Sequence, residues 1–591
     1  MTSVRGVGAH HDPSERWVSD PTPTLGDTVT LEVDLTGAED TTGVWLRTVH
    51  DGEARWAEAA IGRGRSGRSA TVELTCHHLR TGYRFWIDRP SGGHWLTATG
   101  RVDHEPTDHT DFGLVTTGGA PSWVPSTVWY QIFPDRFACS DPNRALPDWA
   151  RRSAWDDPIA SGPDAMRQVY GGDLDGIISH LDHLIDLGVG GIYLTPIYPG
   201  RSNHRYDATT FDHVDPILGG DEALIRLREA TARAGVRLVC DITLNHTGDH
   251  HEWFKTAQAD PASTEASFYV FDRHPDRYET WLGVSSLPKL DHRAAELAER
   301  LHDGPSSAMG RWLAPPFGLD GWRVDVANMT GRLGAVDVNA AVQRVARRTV
   351  DDAGGWLVAE HFFDHSGDVL PDGWHGYMNY AGVQRPVLSW LGTAEARRDL
   401  MPGPGVPARD GVGMAAAIDA VRAAVPWQVT LASMSLLGSH DTSRWHTMTA
   451  DRDLALVGLG LLLTLPGAPT VFAGDEVGLR GVGNEAARQP MPWGGATWDD
   501  GVLSTYRTWI RFRAASHALA HGGFRWVHRS ADAVAFVRES SSERLLVWAT
   551  RAPARWEVGD DWQPVLGEVE RRGTHVVVDR PSVVVLARHG R

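Results

Sequence analysis

Eight short apolar segments, each of strand length, recur between residues 128 and 473, and helix-forming stretches separate several of them. In order they are Val128–Phe133, Gly191–Ile197, Arg237–Thr243, Gly321–Val326, Trp356–His361, Gly376–Tyr380, Ser435–Gly438 and Thr470–Ala473. Amphipathic helices are predicted between them, as at Asp221–Ala234 and Asn339–Asp352. Eight strand–helix units imply an α/β fold, a (β/α)8 TIM barrel. The connection from His246 to Asp320 is too long for a simple loop, so an inserted subdomain of about 247–315 is expected after strand 3, over the C-terminal mouth.

The flanks read differently. Before the barrel, Thr28–Leu35, Ala70–Leu74 and Tyr83–Ile87 alternate apolar and polar residues, with loops such as Gly62–Gly67 between them, predicting an N-terminal β-sandwich over 1–122. The Gly- and Pro-rich run Thr116–Pro125 is a candidate linker. The barrel is expected over 123–518. From about Leu519, Phe524–Val527, Ala533–Val537, Arg544–Ala549 and Thr574–Leu586 predict a C-terminal β-sandwich to residue 591. Trp45, Trp56, Trp86 and Trp95 of the first sandwich suit either a glycan-binding face or packing and a subunit interface, and we expect the latter.

A net charge of -18 argues against nucleic acid or an anionic membrane as partner and favours a neutral substrate. Three scattered cysteines, Cys76, Cys139 and Cys240, show no metal-ligand spacing. The first residues, MTSVRGVGAHHDPSERW, lack an apolar signal core, and no run is long enough to span a membrane. The expectation is a cytoplasmic protein.

In such a barrel the chemistry sits at the C-terminal ends of the strands. Strand 3 ends in Asp241, Asn245 and His246, strand 4 in Arg323 and Asp325, strand 5 in Glu360, and strand 7 in His440 and Asp441. Arg323 and Asp325 share strand parity, so both face one side, and the guanidinium is expected to hold the carboxylate ionised. Glu360, beside His361, Phe362 and Phe363, is expected to be raised by burial. Three acids with no cysteine, lysine or metal cluster point to glycoside chemistry through an ionised nucleophile and a protonated acid. Asp441 would favour the cationic sugar ring of the transition state.

The blocks DITLNH (Asp241–His246), GWRVDVANM (Gly321–Met329), AEHF (Ala359–Phe362) and LLGSHD (Leu436–Asp441) together resemble the α-amylase superfamily of glycoside hydrolases. LPKLD (Leu287–Asp291), VWYQIFPDRF, GGDLDGI and SNHRYD are similar to the cyclomaltodextrinase, neopullulanase and maltogenic amylase group within it. The resemblance implies Asp325 as nucleophile, Glu360 as acid/base and Asp441 as stabiliser. It implies Tyr206, Asp207, His246, Arg323, Phe362, His440 and Arg488 as substrate-binding residues, with Tyr206 the aromatic platform. It also implies an α-glucan oligosaccharide substrate, short or cyclic, and a homodimer.

Several positions depart from the group. Met329 replaces a polar residue, His361–Phe363 changes the shape of an aromatic wall, and Ala486 stands where an Asp is usual, leaving Arg488 alone. No cofactor is required on this reading. Calcium stays open as an occupant of Asp141 and Asp173, although the loop Ala138–Ala145 lacks most of the 6–8 oxygen ligands that ion takes. The complete set of acids points to an active hydrolase. A transglycosylase on the same machinery is the alternative, and a non-catalytic glucan-binding protein a third.

Overall fold

The computed structural model describes residues 8–64, 67–400 and 404–588. All eight predicted strands form and pair in parallel: β1 (Trp129–Ile132), β2 (Gly191–Leu194), β3 (Arg237–Thr243), β4 (Gly321–Asp325), β5 (Trp356–Ala359), β6 (Gly376–Tyr377), β7 (Met434–Leu436) and β8 (Ala468–Phe472). Their order is β6-β5-β4-β3-β2-β1-β8-β7, and a parallel bridge between Met378 and Met434 joins the two ends into a closed barrel. Helices form at Gly220–Arg233 and Asn339–Asp352, within a residue of the predicted spans.

The strands read as continuous apolar runs because both faces are covered. Alternate residues Trp129, Tyr193, Val239, Trp356, Val358, Met434 and Leu436 form one buried cluster inside the barrel. Their neighbours, such as Tyr130, Ile192, Leu238, Trp322 and Leu357, pack outward among the helices. Two glycines permit close approaches in the barrel wall, one to an indole ring and one to the backbone of the neighbouring strand. A Cβ on Gly191 would meet the Trp129 ring at 2.6 Å, and one on Gly321, at φ 152°, would meet the Trp356 carbonyl at 2.0 Å. The Trp129 and Trp356 rings then pack 4.7 Å apart across the barrel floor.

The long connection after β3 divides in two. A helix (Glu252–Ala259), a hairpin (Phe271–Arg273 with Arg277–Tyr278) and a tight turn (Trp281–Gly283) form a cover. It is stitched to the end of β3 by Thr247 N–H to Pro288 O and Leu290 N–H to Asn245 O. The later helix Ala308–Leu313 instead behaves as an ordinary crossover. Trp312 is buried and donates to Phe211 O, while Trp322 of β4 donates to Met309 O. Its six residues are too few for a period to show in the sequence.

Antiparallel sheets flank the barrel. The first comprises a three-stranded sheet and a six-stranded sheet built on Gly43–His50 and Arg80–Asp88. The segment expected as the loop Gly62–Gly67 is instead strand on both sides, Ala60–Gly64 pairing with Gly67–Thr75; residues 65–66 lie outside the described residues. At the other end, the helix His517–His521 is followed by a five-stranded sheet beginning at Gly523. The run Thr574–Leu586, expected as one strand, is two. His575–Val578 and Ser582–Arg588 belong to different sheets, interrupted near Pro581, which cannot donate to a ladder. The expected linker is fastened to the barrel: Arg347 donates to Gly118 O, and the Arg237 guanidinium lies over Trp123.

Candidate active site

Parallel register assembles the site. In the β3–β4 pairing Asp241 lies beside Arg323, and Thr243 beside Asp325. Arg323, 1% exposed, is therefore delivered into the barrel mouth among carboxylates from four strands. Its Nη1 donates to Asp241 Oδ2 at 2.9 Å and to Asp325 Oδ1 at 2.8 Å. Its Nη2 lies 4.0 Å from Glu360 Oε2 and 3.8 Å from Asp441 Oδ2. Its Nε–H is directed at Met378 Sδ, 3.3 Å away on the residue that closes the barrel. One guanidinium thus orients the three predicted acids together.

Glu360 follows directly on β5. Its backbone N–H donates to Val324 O, and its Oε2 accepts from Val326 N–H at 2.7 Å. Val326 has φ 45°, an uncommon conformation for a β-branched residue, which costs about 1–3 kcal/mol. That turn immediately after Asp325 aims the amide at Glu360, so backbone strain beside one acid fixes the other.

His440 is set by hydrogen bonding on both nitrogens. Gln131 Nε2–H donates to its Nδ1 at 2.6 Å, leaving the proton on Nε2 to be donated to the Tyr206 hydroxyl at 2.7 Å. Tyr206 in turn donates to Asp241 Oδ2 at 2.7 Å, as Tyr193 does at the same distance. Burial lowers the His440 pKa to about 3, so the imidazole is a neutral donor. His246 is likewise lowered to about 3 by burial and by Lys289. Asn245 donates to its Nδ1, and its Nε2 faces the Tyr206 carbonyl outside hydrogen-bond geometry.

The carboxylates do not share one electrostatic fate. Burial pushes Asp325 well above the usual carboxylate range against the pull of Arg323, and Asp241, Glu360 and Asp441 add to the rise. The direction of this shift runs against the sequence expectation, because burial opposes a single guanidinium that is divided among four acids. Burial also raises Glu360, as expected, with Asp441 contributing. Asp441 lies below the usual range; burial opposes its ionisation, but His440, Arg488 and Arg323 outweigh it. Asp325 and Glu360 consequently titrate as a pair that retains a proton where isolated carboxylates would not.

Other predicted contacts fall differently. Arg488 is 5% exposed and lies behind the third acid. It donates from Nε to His440 O at 2.7 Å and pairs with Asp441 Oδ1 at 3.3 Å, so it braces the third acid. Asp207 accepts from Arg201 N–H at 2.9 Å and from Ser202 Oγ–H, holding its own loop. Phe362 packs against Tyr380 at 4.3 Å under the Arg385 guanidinium, while Phe363 beside it is 48% exposed.

Asp241, read from the sequence as a strand end at the mouth, proves to be the hub of the hydrogen bonds from Arg323, Tyr193 and Tyr206. Three contributors were missing from the predicted site, Tyr193, Gln131 and Lys289, and these need the three-dimensional arrangement. Lys289 is 2% exposed; it donates to Asn245 Oδ1 and to Met329 O, tying the cover to the loop that follows Asp325. The calcium expectation at Asp141 and Asp173 does not fit. Asp173 caps the helix Leu174–Ser179 through Gly176 N–H at 2.7 Å, accepts Ser140 Oγ–H at 2.6 Å and pairs with Arg144 at 2.9 Å. Asp141 accepts its own loop's Asn143 N–H. A guanidinium occupies the place a dication would need.

Residues 131–352 match the family described as "Alpha amylase, catalytic domain". A maltogenic alpha-amylase of Bacillus acidopullulyticus is 31% identical over 419 residues, 68% of this chain and 65% of that protein. Neopullulanase 2 of Thermoactinomyces vulgaris is 31% identical over 439 residues, 72% of this chain and 69% of that protein. The chain belongs to the α-amylase family. Within this glycoside hydrolase family, the cyclic alpha-maltosyl-(1-->6)-maltose hydrolase of Arthrobacter globiformis, ligand-free, superposes with a TM-score of 0.68 at 30% identity, over 79% of this chain and 100% of that one.

Proposed function

We propose that this α-amylase family member is a retaining hydrolase of α-glucosidic bonds in short or cyclic malto-oligosaccharides. The observation that carries the reading is the placement of Asp325, Glu360 and Asp441 around one buried guanidinium at the barrel mouth. Asp325 is the nucleophile. Its attack on the anomeric carbon forms a glycosyl ester as Glu360 gives its proton to the leaving oxygen. Glu360, then a carboxylate, takes a proton from the water that releases the sugar. Asp441 stays ionised and stabilises the positive ring. Tyr206 stacks on that ring, with Phe362 on the wall beside it. His246 donates from its Nε2, unpartnered among the described residues, to a ring hydroxyl as a neutral imidazole, and His440 lines the same subsite while its Nε2–H holds the Tyr206 hydroxyl.

Small substrates are favoured by the resemblance of LPKLD and SNHRYD to the cyclomaltodextrinase group and by the likeness to an enzyme acting on a cyclic tetrasaccharide with mixed linkages. In this proposal α-1,4 bonds are cut, and α-1,6 bonds in such a ring. Chromatography of products from γ-cyclodextrin, pullulan, soluble starch, maltotetraose and cyclic α-maltosyl-(1→6)-maltose tests it. Rapid cutting of the cyclic or short substrates over starch supports the reading; starch cut as fast as the oligomers contradicts it.

A second reading rests on Met329, Phe362 and Phe363. These apolar groups on the acceptor side favour a sugar hydroxyl over water as the second nucleophile, giving transglycosylation. Larger products at high maltose would reveal it. The same proposal places the enzyme in the cytoplasm as a homodimer. Trp45 and Trp56, 37% and 53% exposed on one face of the N-terminal sheet, would be buried between subunits. Among the described residues no helix is long and apolar enough to cross a membrane.

A further inference from the structure

Two turns meet at one end of the N-terminal sandwich. One joins Gly43–His50 to Glu53–Glu58 and carries His50 and Asp51; the other follows Gly67–Thr75 and carries His77 and His78. A ring nitrogen of His50, one of His78 and a carboxylate oxygen of Asp51 all lie within 4.8 Å of one another. His50 Nε2 is 3.5 Å from Asp51 Oδ2. Asp51 N–H donates to His78 Nε2 at 3.3 Å, a long bond to the same lone pair that an ion would use, and one the ion would displace. The His77 ring stacks parallel on His50, centroids 4.1 Å apart. Asp51 holds a left-handed φ of 51°, tolerated by aspartate in a tight turn, and so brings its carboxylate beside the histidines of both turns.

We propose that His50, Asp51 and His78 form a binding site for a divalent transition-metal ion of the zinc class, with water completing the shell. Two imidazoles and a carboxylate suit zinc, nickel or copper and not calcium, which takes oxygen ligands. Bonds of about 2.0–2.1 Å place the ligand atoms of a tetrahedral zinc roughly 3.4 Å apart. His50 and Asp51 already stand at that spacing, and both side chains are accessible enough to rotate with His78 through the remaining distance. The ion would tie two turns distant in sequence, so binding would stabilise the N-terminal sandwich by linkage. None of these residues belongs to the catalytic mouth, and the inference does not depend on the proposed reaction.

The test is a Zn²⁺ titration of the untagged full chain in competition with a chromophoric chelator, alongside thermal unfolding with and without the ion. The expected result is one equivalent bound with a Kd on the order of 1–10 μM or tighter, with a rise in Tm. His50→Ala and His78→Ala should each weaken binding at least roughly tenfold and remove the Tm rise. Absence of stoichiometric binding in that range overturns the proposal. So does undiminished binding in the double variant, which would place the ion among other histidines.

Discussion

At the scale of the residue, the site is expensive to fold, and the direction of the pKa shifts says where the cost falls. Burial raises Asp325 and Glu360 above their unfolded values. The native state therefore binds more protons than the unfolded chain between the two sets of values. The stability these groups contribute is present below the unfolded pKa and lost as pH rises through the folded one. Asp325→Asn removes that penalty at neutral pH. It should abolish hydrolysis while raising Tm, measured by calorimetry at pH 7; a fall in Tm would mean the ion pair with Arg323 dominates. Glu360→Gln removes the proton donor and should lower kcat by about 10²–10⁴-fold. The loss should shrink for substrates with an activated leaving group that needs no protonation. In the parent enzyme kcat/KM should fall as pH rises through the elevated Glu360 value, and that alkaline limb should vanish in Glu360→Gln.

At the scale of the element, the cover and the catalytic loop are joined by one buried ammonium. Lys289 is lowered to about 8 by burial and satisfies Asn245 Oδ1 and Met329 O. Lys289→Met leaves both oxygens unpaired, so it should destabilise the protein by about 1–3 kcal/mol and speed hydrogen exchange in 281–290. Unchanged exchange there would show that the backbone stitches alone hold the cover. Because Arg144 already neutralises Asp173, a calcium chelator should leave hydrolysis unchanged.

The elements also show what a sequence can carry. The eight strands and their strand-end acids were legible, since a buried parallel strand is an apolar run and a polar residue at its end has one direction to face. The braces were not. Residue type alone shows neither that the Arg488 guanidinium rests on Asp441 nor that Asp207 closes its own loop. Gln131 and Tyr193 become site residues only through the parallel register. The strain at Val326 leaves no trace in residue type, and the split in Thr574–Leu586 was written in Pro581 but outweighed by the valines around it.

At the scale of the molecule, the flanking sandwiches are fastened to each other as well as to the barrel. Asp12 accepts Phe524 N–H at 3.0 Å, Arg16 pairs with Glu539 at 2.9 Å, and Arg525 with Asp34 at 3.2 Å. Unfolding should therefore approach a single cooperative transition instead of three. Asp12 is held below the usual carboxylate range; burial opposes its ionisation, but the bonds from His10 and Ser14 prevail. Its stabilising contribution is present above the unfolded pKa and lost as pH falls through the folded one. Asp12→Asn should lower Tm at pH 7 and flatten the loss of Tm on acidification. A parallel downward shift at all pH values would contradict the electrostatic account.

The measurement closest to the central claim is mass spectrometry of the enzyme quenched with a fluorinated α-glycosyl fluoride, which forms the ester quickly and releases it slowly. One glycosyl adduct on the peptide bearing Asp325 is the predicted result. No adduct under turnover, or an adduct on Glu360 or Asp441 instead, would contradict the assignment of Asp325 as nucleophile and the retaining mechanism built on it.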